Sequence, residues 1–135
     1  MNKTLILEPQ RVKSLTEGFL AVFQTQPTRF FSAPGRTEIG GNHTDHQRGR
    51  VLAAAVNLDT VAAVRPNGTK TVRIQSQGYP MCQVDLTNLQ PVEAEINSTP
   101  ALVRGVAARF AQLGCNVEGF DAYVESTVLP GSGLS

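Results

Sequence analysis

Pro34-Gly35-Arg36-Thr37-Glu38-Ile39-Gly40-Gly41-Asn42-His43-Thr44-Asp45-His46 gathers glycines and hydrogen-bonding side chains into one short run. Pro34-Gly35 and Gly40-Gly41 predict a backbone that turns sharply and lets a ligand come close. Between and after them stand Arg36, Glu38, Asn42, His43, Asp45 and His46. Asn, His and Asp offer donors and acceptors from short, stiff side chains, which suits a polyhydroxylated molecule. A guanidinium beside them suits a transferring phosphoryl group, whose charge needs stabilising where water is scarce. The same residue types form ordinary turns, so a solvated polar loop stays open on chemistry alone. A zinc centre on His43, Asp45 and His46 is a third reading. His43 and His46 are the sequence's two histidines, and no distant His, Cys or Glu motif completes the ligand set such a centre needs.

Working outward, residues 9–24 predict an amphipathic helix, because Val12, Leu15, Phe19, Val22 and Phe23 recur at helical spacing and Pro27 stops the run. Residues 28–33 are short, aromatic and bounded by prolines, which predicts a strand. Residues 51–64 are apolar nearly throughout and lead into Pro66-Asn67-Gly68. With Val72 and Ile74 alternating against Arg73 and Gln75, that turn predicts a hairpin joining 51–64 to 69–75. Residues 81–86 add a short strand. Residues 100–113 predict a helix, with Thr99 as N-cap, Pro100 in the first turn and Gly114 past its end. Leu102, Val103, Val106, Phe110 and Leu113 are its expected inward stripe. Phe120, Ala122 and Val124 then alternate with Asp121, Tyr123 and Glu125 as a half-buried strand. These elements predict one α+β domain over residues 1–135, a mixed or antiparallel sheet with helices packed on it.

Composition narrows the function. Twelve basic residues against eleven acidic ones, with a net charge of +1, give no basic surface for nucleic acid or anionic membrane. Cys82 and Cys115 make neither a disulfide framework nor a CxxC site, which predicts reduced thiols. Neither a signal-peptide pattern nor a run of transmembrane length stands out, so the expected location is the cytoplasm. After the last strand come Pro130-Gly131-Ser132-Gly133-Leu134-Ser135, which read as the opening of a phosphate-binding loop or as a flexible tail.

Taken in order, these two segments resemble the galactokinases, within the larger family of small-molecule kinases that includes homoserine and mevalonate kinases. The galactokinase signature Gly-Arg-x-Asn-x-Ile-Gly-Glu-His-x-Asp-Tyr corresponds to Gly35 through His46, and a Gly-Ser-Gly-Leu-Ser run that wraps the ATP phosphates begins at Pro130. The resemblance implies the ribosomal-protein-S5-domain-2-like fold of those kinases. It implies ATP-dependent phosphorylation of galactose or a similar hexose at the C1 hydroxyl, with ATP and Mg²⁺ as cofactors. Arg36 then lies between sugar and γ-phosphate as transition-state stabiliser. Arg36, Asn42, His43, Thr44 and Asp45 form the sugar site, and Gly131, Ser132, Gly133, Leu134 and Ser135 start the ATP loop. The family's catalytic aspartate, acidic magnesium ligand and C-terminal domain are expected beyond Ser135. The chain is therefore expected to be an inactive N-terminal part whose open apolar surface favours self-association.

Glu38, Asn42 and His46 stand where the family has Asn, Glu and Tyr, which changes the sugar hydroxyls that can be gripped. A non-catalytic sugar-binding relative, separated by the downstream aspartate, is the alternative. So is a kinase for another small alcohol, against which the His43-x-Asp45 pair argues.

Overall fold

Leu15 and Phe19 sit one helical turn apart and are fully buried, which fixes the face that the first helix turns inward. The computed structural model describes residues 8–41 and 48–134. Helix α1 (Pro9–Phe23) starts on a proline, whose missing N–H costs nothing in a first turn. It stops at Gln24, which takes a left-handed φ of 56° and returns its N–H to Leu20 O at 2.9 Å. Strands β1 (Arg29–Gly40), β2 (Leu52–Pro66), β3 (Thr71–Ser76) and β4 (Cys82–Asp85) follow, then helix α2 (Thr99–Gln112) and strand β5 (Phe120–Ser126).

The sheet has the order β1-β2-β5-β3-β4, with β3 and β5 parallel and the other neighbours antiparallel. Leu15 and Phe19 of α1 pack with Val61, Ala63 and Tyr123. Ala107 and Val103 of α2 pack with Val72, Val84, Leu86 and Phe120. Tyr123 and Phe120 are an odd number of residues apart on β5, so the two helices cover opposite faces. This is the expected α+β layering, with one helix on each side of a mixed sheet.

The Asn-Gly segment does not make the expected hairpin, because β5 lies between β2 and β3. The side chain of Asn67 accounts for this. Its Oδ1 accepts from the Thr69 N–H and hydroxyl at 3.1 and 2.8 Å, while Nδ2 donates to Thr71 O at 3.0 Å and Asp121 Oδ1 at 2.8 Å. The result is a wide Asn-centred turn that straddles the start of β5. Asp121, buried in mid-sheet, takes a two-pronged ion pair from Arg73, Nε to Oδ1 at 2.7 Å and Nη2 to Oδ2 at 2.6 Å. A carboxylate is tolerated there because both oxygens are met.

Two further expectations are corrected. Helix α2 buries Arg104 and Ala107, while Leu102, Val106, Phe110 and Leu113 of the expected inward stripe are more than half exposed and Val103 is half-buried. The guanidinium of Arg104 anchors the helix beside the apolar contacts of Val103 and Ala107, while Leu102, Val106 and Phe110 line an open groove against Val72, Ile74 and Phe120. Thr99 is the first helical residue and Ser98 precedes it, with its hydroxyl turned back to Glu95 O. Gly114, at φ 82°, ends the helix as expected.

Candidate functional site

Strand β1 does not end at Ala33. It runs through Pro34-Gly35 to Gly40, absorbing the irregular stretch as register shifts at Pro34/Arg36 and Glu38/Gly40 where a turn was expected. The reason for glycine at 35 is a crossing segment. A Cβ there would stand 2.9 Å from Leu134 O, 3.1 Å from Val128 Cγ2 and 3.2 Å from Val56 Cγ2. One residue on, the Arg36 N–H donates to Leu134 O at 2.7 Å. The two chemistry-bearing segments, far apart in sequence, are thus joined backbone to backbone.

The crossing is fastened at its base. The Thr127 N–H and hydroxyl both donate to Asp59 O, at 2.9 and 3.1 Å, and the Asp59 N–H donates back to Thr127 Oγ1 at 3.0 Å. The Asp59 carboxylate accepts Ser32 Oγ at 2.7 Å and pairs with Arg11 at 2.7 Å, tying α1, β1 and β2 beneath the site. Burial pushes this carboxyl up, but the hydrogen bonds from Ser32 and Arg11 outweigh it and hold the group below its ordinary value. Asp59 was not singled out from the sequence. The available signal was one carboxylate inside the apolar run 51–64.

Past the crossing, Gly131 and Gly133 take φ of 75° and 74°, and no heavy atom lies within 4 Å of where a Cβ would stand on either. Their backbone is open to a ligand. The Ser132 N–H closes a turn onto Leu129 O at 3.1 Å. Beside this loop runs a groove of about 960 Å³ whose walls include Tyr79, Met81, Ser98, Pro100, Val128 and Pro130.

The Arg36 side chain is 54% exposed and its Nη2 lies 3.6 Å from Glu38 Oε1. Glu38 is 22% exposed, and its Oε2 is buried without a hydrogen-bond partner among the described residues. The structure therefore brings Arg36 to Leu134, and so to the loop of Gly131, Ser132 and Gly133. Asn42, His43, Thr44 and Asp45 lie outside the described residues, as do Ser135 and the His46 of the zinc reading. Among the described residues no helix is long and apolar enough to cross a membrane.

The family model described as the galactokinase galactose-binding signature matches residues 17–66, which hold the second half of α1 and all of β1 and β2. The galactokinase of Streptococcus thermophilus is 34% identical over 125 residues, 90% of this chain and 32% of that protein. The galactokinase of Lactococcus lactis is 29% identical over 138 residues, 98% of this chain and 34% of that protein. The crystal structure of Lactococcus lactis galactokinase complexed with galactose superposes with a TM-score of 0.78 at 27% identity, over 93% of this chain and 33% of that one. Methanococcus jannaschii mevalonate kinase shares the fold, with a TM-score of 0.59 at 12% identity over 78% of this chain and 34% of that one. The chain spans about a third of the length of the galactokinases it matches. With their signature on its first two strands and a superposable fold over nearly all its length, the chain is similar to about a third of a galactokinase.

Proposed function

We propose that this chain carries the sugar-binding segment and the start of the phosphate loop of an ATP-dependent galactokinase. The reaction forms a bond between the sugar C1 oxygen and the γ-phosphorus and breaks the bond to the β-phosphate oxygen. ADP leaves, and the C1 hydroxyl gives up its proton. Galactose, or a hexose like it, is the acceptor. The observation that carries this reading is the 2.7 Å bond from the Arg36 N–H to Leu134 O, which sets the arginine of the sugar strand against the glycine loop.

Each residue has a role in that arrangement. Gly131 and Gly133 leave backbone open where phosphate oxygens would approach, and Ser132, Leu134 and Ser135 are the other residues assigned to the phosphate loop. The groove lined by Val128 and Pro130 would take the nucleotide base. The exposed Arg36 guanidinium stabilises charge on the transferring group, while Asn42, His43, Thr44 and Asp45 grip the sugar hydroxyls. ATP with Mg²⁺ supplies the phosphoryl group and the counter-charge, and the cation needs acidic ligands that the described residues do not gather into one cluster. The protein acts in the cytoplasm, where ATP is available.

The intact protein carrying this sequence, given ATP and a panel of hexoses, is expected to form galactose 1-phosphate and ADP in equal amounts, read by ³¹P NMR. These 135 residues alone are expected to form none. Sugar binding by the intact protein without any ADP would support the non-catalytic sugar-binding alternative instead.

A further inference from the structure

In an antiparallel ladder, every second facing pair exchanges both of its backbone N–H···O bonds. The last regular partners of β2 and β5 are Thr60 and Ser126. One step on, Thr127 gives its N–H to Asp59 O at 2.9 Å, but the return bond from the Asp59 N–H goes to Thr127 Oγ1 at 3.0 Å. The hydroxyl stands where the ladder would place the Thr127 carbonyl, and it donates in turn to Asp59 O at 3.1 Å. The main chain is thereby freed to leave the sheet at this residue. Ser126 braces the same exit. Its Oγ accepts the Val128 N–H and donates to Val128 O, both at 3.1 Å, and lies 2.8 Å from Thr60 Oγ1.

What leaves the sheet here is the glycine loop. Val128, at its start, puts Cγ2 3.1 Å from where a Cβ would stand on Gly35, and at its far end Leu134 O takes the Arg36 N–H at 2.7 Å. Room for the crossing comes from β2. Pro34 faces Asp59 and Arg36 faces Ala55, so residues 56–58 of β2 lie opposite Gly35 alone. Asp59 closes that bulge. One residue is therefore tied to the strand that carries Arg36 and, through Thr127, to the root of the loop.

We propose that Thr127 is a positioning residue for phosphoryl transfer, whose hydroxyl fixes where the chain leaves β5 and so sets the glycine loop against Arg36. The inference rests on the kinase reading above and adds to it what aims the loop. Thr127 is exposed, where water replaces a lost partner, so its hydroxyl matters little to stability. A small misplacement of reacting groups, in contrast, costs rate steeply.

The test uses the intact protein with ATP and galactose, in wild type, Thr127→Val, Thr127→Ser and Ser126→Ala, with Val84→Ala as control. Thr127→Val keeps the shape and loses the hydroxyl. It is expected to lower kcat/KM for ATP about 10- to 100-fold, the scale of an ångström-sized misplacement. The KM for galactose and the melting temperature should stay near wild type. Thr127→Ser should restore kcat/KM for ATP. Ser126→Ala should move it in the same direction as valine, and carries the test if the valine variant does not fold. Val84 is buried on β4, at the far edge of the sheet, so its truncation should lower the melting temperature without changing kcat/KM for ATP.

Three results would overturn the inference while leaving the kinase reading standing. They are an unchanged kcat/KM for ATP in Thr127→Val, a fall that Thr127→Ser does not recover, and a fall that Val84→Ala shares. An intact wild-type protein that phosphorylates no sugar would remove the kinase reading and this inference with it.

Discussion

Arg36→Ala in the intact protein is expected to cut kcat for hexose phosphorylation by about 100- to 1,000-fold, the usual loss when one pre-aimed charge donor is removed from a transferring group. The fold should not notice. The Arg36 side chain is half exposed; alanine retains its backbone N–H bond to Leu134 O and gives up only the 3.6 Å ion pair with Glu38. Stability is therefore expected to stay within about 0.5 kcal/mol of wild type, as for ordinary surface substitutions. The galactose KM should move far less than kcat, because the proposed role is realised in the transition state and not in ground-state binding. Arg36→Lys should recover little, since a point charge on a flexible stem does not reproduce the planar fork. Steady-state kinetics with parallel thermal melts would check this. A kcat within a few-fold of wild type would remove Arg36 from the proposed mechanism, and a matching fall in melting temperature would make its role structural.

Local patterns were legible in the sequence, and the partners of those patterns were not. The spacing of Leu15 and Phe19 gave α1 to within a residue, and alternation gave β3 and β5. Pro100 and Gly114 bracketed α2 because caps act within a turn of where they stand. The hairpin at Asn67-Gly68 failed for the opposite reason. The side chain of Asn67 is used by Asp121, a residue far along the chain, and no local rule reports that β5 will enter between β2 and β3. Gly18 is an isolated glycine in the middle of helix α1, where propensity disfavours it. The structure puts the Tyr123 ring where a Cβ would be, 2.3 Å from the nearest ring atom, so packing against β5 selects it and propensity does not. In the site, residue types singled out Arg36 and the glycine loop, and the structure brings the two together. What could not be read was the Leu134 crossing over Gly35, nor that one Glu38 oxygen is buried without a hydrogen-bond partner among the described residues.

Helix α2 offers the sharpest contrast between the apolar pattern and the packed structure. Arg104→Ala is expected to destabilise the protein by about 2–4 kcal/mol, because it strips donors from several acceptors at once. Arg104 is 6% exposed. Its Nε and Nη2 reach the two Glu95 oxygens at 2.8 and 2.6 Å, and its Nη1 serves Asp85 O at 2.8 Å and also Asn88 O. One guanidinium thereby holds the whole connection between β4 and α2. Arg104→Lys is expected to lose most of the same stability, because an ammonium cannot span a carboxylate and two carbonyls in one plane. The hydrogen bonds from Arg104 hold the Glu95 carboxyl below its ordinary value, so this contribution is complete above the unfolded-state value. It is lost as the pH falls through the depressed folded-state value, and the gap between wild type and Arg104→Ala should narrow there. Leu102→Ala and Val106→Ala, at 72% and 59% exposure, are expected to cost no more than about 0.5 kcal/mol each. Urea midpoints for the four variants would decide between the two views of the helix. If the leucine and valine variants cost more than the arginine one, the apolar stripe faces the core after all. The reverse order would mean that a buried polar fork sets the rotation of α2, leaving its apolar row outside.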